Sequence, residues 1–93
     1  MNKVPVIIVD DHKILREGLT YMLNELKTVE IVGEASNGQD FLDLLKLVKP
    51  EIVLMDINMP VMNGVEATRK ALEIYPDLKI LVLSMYGLSL IHI

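Results

Sequence analysis

Four short apolar runs separated by segments of helical period constrain this chain more than any other feature. Val4 to Val9 is β-branched apart from Pro5, which suits the start of a buried parallel strand, where one missing N–H is tolerated. Val29 to Ala35 alternates apolar with polar residues except at Val32, the pattern of a half-exposed edge strand. Ile52 to Met55 and Ile80 to Leu83 are too short for buried helices and read as strands. Between them, Lys13 to Leu26 places Ile14, Leu15, Leu19, Met22, Leu23 and Leu26 on one helical face. A second helix is predicted from the capping-box spacing of Ser36 and Gln39, the stripe Phe41, Leu44, Leu45 and Val48, and the stop at Pro50. Val65 to Tyr75, ending at Pro76, is the third helix, preceded by a loop over Asn58 to Gly64.

The order βαβαβαβ predicts an α/β fold: a doubly wound parallel sheet with right-handed crossovers. With 93 residues, 52% of them hydrophobic, the chain has the material for one core. If the second strand lies beside the first and the third on its other side, winding reverses between strands one and three. Ligands of open α/β sheets bind at the carboxyl ends of strands at such a point. Here those ends carry Asp10, Asp11 and Asp56.

Three carboxylates brought within about 4–5 Å repel by about 3–4 kcal/mol per pair at an effective dielectric near 20. A divalent cation removes that cost, and an oxygen donor set without His or Cys points to Mg²⁺. Such an ion also draws charge from a phosphoryl group, so that an Asp can act as nucleophile on phosphorus. Asp56 is the best placed, alone at a strand end before a loop with Gly and Pro, whereas Asp10 and Asp11 lead straight into a helix. Ser84, ending the fourth run, offers a hydroxyl for a phosphoryl oxygen. Each residue has a plainer use. Asp11 has the chemistry of a helix cap, and Asp56 and Ser84 of ordinary loop-starting and strand-end residues. His12 reads as the start of the helix, and Met55, Met59 and Met62 as packing groups.

The remaining composition narrows the class. A net charge of −4 with nine scattered basic residues argues against nucleic-acid contact by this segment. The absence of cysteine leaves no disulfide framework or thiolate metal site, and no run approaches a membrane span or a signal peptide. A cytoplasmic origin is the expectation. No G-x-G-x-x-G or G-x-x-x-x-G-K-[ST] pattern follows the first strand, which excludes the usual nucleotide folds. An aspartate-nucleophile phosphatase would need a second Asp at position 58, where Asn stands.

The segment Val6-Ile7-Ile8-Val9-Asp10-Asp11-His12 with Arg16-Glu17-Gly18-Leu19 resembles the opening of response-regulator receiver domains. Leu54 to Ala67, reading LMDINMPVMNGVEA, resembles the phosphoacceptor segment of the subfamily with a LuxR-type helix-turn-helix output domain, and Ile80-Leu81-Val82-Leu83-Ser84-Met85-Tyr86 continues the likeness. The resemblance implies a flavodoxin-like receiver fold with strand order 2-1-3-4. It also implies phosphorylation of Asp56 by a sensor histidine kinase, and Mg²⁺ held by Asp10, Asp11, Asp56 and the backbone carbonyl of Asn58. Ser84 would be the switch hydroxyl. The chain would be a phosphoacceptor signalling domain rather than an enzyme, meeting DNA only through an output domain absent from it. Such domains continue with a further helix, a fifth strand ending in Lys, and a last helix, which this sequence lacks; its last Lys is Lys79. Residues 1–86 therefore read as an incomplete, C-terminally truncated receiver and 87–93 as an atypical tail. The expected consequences are an exposed, apolar fourth strand open to self-association, and an alternative role as a phosphorylation-incompetent fragment or receiver-shaped protein-binding module.

Overall fold

The computed structural model describes residues 3–84 and 87–91, with residues 84 and 87–91 described by backbone alone. In chain order the elements are β1 (Val4–Val9), α1 (Lys13–Asn24), β2 (Val29–Ala35), α2 (Gly38–Leu44), β3 (Ile52–Asp56), α3 (Gly64–Ile74), β4 (Lys79–Ser84) and β5 (Gly87–Ile91). They form one sheet ordered β2-β1-β3-β4-β5. The first four strands are parallel in the predicted order 2-1-3-4, so the winding reverses between β1 and β3.

Alternate residues of the inner strands build the core. Ile7 pairs with Val53 and Val9 with Met55, and these pair in turn with Ile80 and Val82. All are buried on one face, against Phe41 of α2 and Ala67 and Ala71 of α3. Met55, Met59 and Met62 are packing groups, as expected. At the edge, Val6 pairs with Ile31 but Ile7 with Gly33, so Val32 is an extra residue in β2. This bulge accounts for the one break in the sequence alternation, because it turns the following residues to the other face of the sheet. Glu34 then lies on the pleat of Ile8 and meets Arg16 of α1.

Several expectations are corrected. Helix α1 stops at Asn24 rather than Leu26, and its apolar residues do not join the core: none is buried, and Ile14 is 85% and Met22 65% exposed. Helix α2 begins at Gly38 and is capped by Asn37, whose Oδ1 accepts the Asp40 N–H at 2.8 Å, so Asn37 and not Ser36 is the cap. It closes at Leu44, and irregular turns occupy the stretch to Pro50. The fourth strand is not an open edge. β5 runs antiparallel to β4, with Ile80 opposite Ile91 and Ser84 opposite Gly87, so the segment expected to be a tail covers it. Among the described residues no helix is long and apolar enough to cross a membrane.

Candidate functional site

The site is made where β1 and β3 end. Asp10 directly follows β1, its N–H donating to the Ala35 carbonyl at 3.0 Å, and its side chain is almost fully buried. Its Oδ1 accepts the His12 N–H at 2.7 Å, a tight local turn that swings the chain from the sheet into α1. Arg16, one turn into α1, donates from Nη1 to the Asp10 carbonyl at 2.6 Å and from Nε to Glu34 Oε1 at 3.1 Å. Helix α1 is thus tied to the strand ends by polar contacts. Asp11 does not cap it: His12 is the N-cap, without a side-chain cap bond.

Asp56 closes β3 and is partly buried. Burial is the main force raising its pKa above the ordinary carboxylate value, and the charge of Asp10 adds to it; a hydrogen bond from the Asn58 N–H acts in the opposite direction. A group that is held protonated more readily than usual and faces two further carboxylates is one whose charge is uncompensated. His12 supplies part of that compensation. Its Nδ1 lies 3.0 Å from Asp10 Oδ1, 3.1 Å from Asp11 Oδ1 and 4.0 Å from Asp56 Oδ2. Its pKa is raised, first by the hydrogen bond to Asp10 and then by the Asp11 charge.

One donor atom from each of Asp10, Asp11, His12 and Asp56 falls within a common 4.8 Å. Three carboxylates and one imidazole at that spacing are a donor set suited to a divalent cation. The structure thus brings the three predicted Asp residues together, along with His12, which the sequence reading had assigned only to starting α1. The Asp-Asp-His succession was the available signal, since it sets a nitrogen donor beside two carboxylates.

The loop after Asp56 is folded tightly back on the strand end. Gly64 donates its N–H to the Ile57 carbonyl at 2.8 Å, and a Cβ there would strike the Asp56 carbonyl. Asn63 caps α3 by accepting the Glu66 N–H at 2.9 Å, so the dipeptide Asn63-Gly64 is a helix start as well as loop punctuation. Just before this dipeptide, Val61 has φ 69 and Met62 donates its N–H to the Pro60 carbonyl at 2.7 Å, which is the strained form of a three-residue turn. The Met62 carbonyl accepts the N–H of Gly38, anchoring the loop to α2. Asn58 is exposed in this loop. The backbone of Ser84 is at the end of β4, one residue beyond Leu83, the partner of Asp56; its side chain lies outside the described residues.

Comparison with known proteins agrees with this geometry. Residues 6–90 match the response regulator receiver domain model. The chain is 44% identical over 85 residues to the transcriptional regulatory protein DegU of Brevibacillus brevis, covering 91% of this chain and 36% of that protein. It is also 44% identical over 82 residues to the response regulator GacA of Pseudomonas aeruginosa, covering 88% of this chain and 38% of that protein. Among solved structures it is similar to a two-component response regulator of the LuxR family from Aurantimonas, with a TM-score of 0.82 and 31% identity, over 87% of this chain and 58% of that one. The chain therefore spans little more than a third of the curated relatives it matches. Its strand order, its acidic strand ends and these likenesses lead to one assignment: the chain belongs to the response regulator receiver domain family, the signalling domain of two-component regulators.

Proposed function

We propose that Asp56 accepts a phosphoryl group from a sensor histidine kinase, in a site where Asp10, Asp11 and Asp56 hold Mg²⁺. The observation that carries this reading is the convergence of Asp56 with the two other carboxylates at the switch point of the sheet. When bound, the ion would neutralise carboxylate repulsion and draw charge from the phosphoryl oxygens. The donor set fits that role, and the carbonyl of Asn58, two residues after Asp56, is assigned as a further ligand.

A carboxylate oxygen of Asp56 attacks phosphorus, the new O–P bond replaces the P–N bond of the donor phosphohistidine, and the leaving imidazole takes up a proton. The protein's part is to hold Asp56 in place. The fixed end of β3 and the Asn58 N–H orient the carboxylate, and burial excludes competing water from one side. The phosphoryl group adds about 1.5–2 negative charges beside a strained loop and the start of α3, where a change of charge biases backbone arrangement. Ser84 is assigned as the hydroxyl that answers it, and an output segment outside this chain as the part that meets DNA.

A second reading has its own support. Lys79, the last lysine of the sequence, begins β4 opposite Ile52, at the far end of the sheet from Asp56. Among the described residues, His12 is the basic side chain within 4.0 Å of Asp56. A receiver-shaped binding module that is not phosphorylated would have this arrangement too.

Intact mass after incubation with acetyl phosphate separates the two. A gain of one phosphoryl group that requires both Mg²⁺ and Asp56, and is lost in Asp56→Asn, supports the phosphoacceptor. No gain in a sample folded by circular dichroism rejects it in favour of the binding module.

A further inference from the structure

We propose that a cleft at the amino ends of the strands is a second site, which binds a small amphipathic amine: an aromatic or branched apolar body carrying an ammonium group. The cleft has a volume of about 540 Å³, a size typical of small-molecule sites. Pro5 stands at the start of β1, Glu51 immediately precedes β3 and Leu78 immediately precedes β4, so the cleft lies at the end of the sheet opposite Asp56.

Its lining is mainly apolar and is fixed by the backbone. Leu45 and Leu78 belong to the buried core, Val48 and Tyr75 are partly buried, and Ile74 is 64% exposed at the rim. An apolar body set among them would take the exposed Ile74 surface out of water as well as its own. Pro5, Pro50 and Pro76 hold their φ angles through their rings. The Glu51 N–H donates to the Pro5 carbonyl at 2.8 Å and the Lys79 N–H to the Glu51 carbonyl at 3.3 Å, which ties the starts of β1, β3 and β4 together. Walls already ordered in this way cost a ligand little to organise.

The hydrogen-bonding groups around the cleft decide the polar end of the ligand, because acceptors outnumber donors. The N–H groups of Leu45, Val48, Glu51, Tyr75 and Leu78 are all spent on carbonyls of the chain, at 2.7–3.1 Å. The three prolines have no N–H to offer, only carbonyls. Tyr75 gives its hydroxyl proton to the Leu45 carbonyl at 3.4 Å, which leaves its oxygen as an acceptor. Glu51 and Asp77 set two carboxylates on the lining against the one cation of Lys49. Helix α3 ends here at Ile74 with no basic residue in its last turn, so the negative end of its dipole is uncompensated. A ligand that brings donors and positive charge meets this surface, and the Tyr75 ring adds a favourable neighbour for an ammonium group. An anionic ligand would find most of the polar groups repulsive.

The test is a two-dimensional amide NMR titration of the full chain with three probes of similar shape: phenethylamine, phenethyl alcohol and hydrocinnamate. The amine is expected to shift the amides of Val48, Glu51, Tyr75 and Leu78 along a saturating curve, with a Kd on the order of 1 mM, as suits a ligand of so few atoms. The alcohol is expected to bind at least about threefold more weakly, and the carboxylate more weakly still, as partly exposed charge contacts would give. Ile74→Lys, a change at the exposed rim, is expected to weaken the amine by at least about threefold and to strengthen the carboxylate. Glu51→Gln combined with Asp77→Asn is expected to abolish the preference for amine over alcohol while alcohol binding persists, which a general loss of fold would not do. No saturation by about 10 mM amine, a carboxylate bound as tightly as the amine, or amine shifts confined to Asp10, Asp11 and Asp56 at the other end of the sheet overturns the proposal. The ranking of the three probes on wild type decides the matter even if a variant folds poorly.

Discussion

Gly64→Ala tests how closely the phosphoacceptor strand and the third helix are joined. A Cβ at this position would meet the Asp56 carbonyl, and would also lie 2.9 Å from the Asp56 carbonyl carbon and 3.0 Å from Ile57 Cα, where ordinary contact begins at 3.4 Å. All three are backbone atoms, so no side chain can swing aside, and the loop must open by at least about 0.5 Å to reach ordinary van der Waals separation. Opening it stretches the Gly64 N–H bond to Ile57, whose loss costs about 1 kcal/mol. It also disturbs the Asn63 cap, worth about as much. Overpacking adds about 1–3 kcal/mol, set against a gain of up to about 1 kcal/mol from alanine's better helix propensity. With the full propensity gain subtracted, the net loss is about 2–4 kcal/mol, or about 10–30 °C in Tm for a domain of this size. Displacing the Asp56 carboxylate on this scale should also slow phosphorylation by a small donor, by up to about 100-fold. Thermal denaturation followed by circular dichroism and timed intact-mass measurement give both numbers. A variant that melts within about 2 °C of wild type, a shift smaller than even 1 kcal/mol would give, and is phosphorylated at the same rate would refute the account of this junction.

Three further changes follow from the same geometry. In a chelator-treated sample Tm should fall as pH rises through two windows. The raised pKa of Asp56 means that stability is lost as pH climbs through its folded value above 3.8, and the stabilisation from His12, complete below 6.5, is lost as pH climbs through its raised value. Melts at closely spaced pH should show the upper window vanish in His12→Asn and the lower one in Asp56→Asn; a metal-free Tm that rises across both windows contradicts these assignments. Thr68→Val should stabilise the fold by about 1 kcal/mol, because the Thr68 hydroxyl is fully buried and has no hydrogen-bond partner among the described residues. Urea unfolding checks it, and a lower midpoint would mean that the hydroxyl is satisfied. Asn63→Ala should cost about 1 kcal/mol by the same assay, through loss of the cap on Glu66, and no change would show the cap to be idle.

The sheet was legible because strand length and apolar character are local properties. β1 matches the expected Val4 to Val9, and Val32, the one residue out of pattern in β2, proved to be the bulge. The three site aspartates were legible for the same reason, each standing at the end of an apolar run. What sequence could not supply was competition between neighbours. Ser36 and Asn37 both have capping side chains, and only the path of the chain from β2 into α2 decides that Asn37 reaches Asp40. The apolar periodicity of α1 is real, but periodicity does not say whether a surface exists for that face to bury against. His12 was missed because its ring is brought to the carboxylates by the turn at Asp10, a backbone event that the Asp-Asp-His succession alone does not specify. The pairing of Gly87–Ile91 with β4 was missed because Gly87 to Ile93 resembled nothing expected at that point.

A helix that buries no residue and is held by Arg16 to the ends of β1 and β2 should open at a small fraction of the free energy needed to open the sheet. Amide hydrogen exchange would then rank α1 as the least protected helix, while the β1 and β3 amides wait for global unfolding. Asp11 and His12 sit on the short connection into α1 and move with it, whereas Asp10 and Asp56 stay with the strands. Anything that grips all four residues at once must therefore slow exchange along α1. Occupancy at the strand ends and protection of a helix that buries no residue become two readings of a single equilibrium.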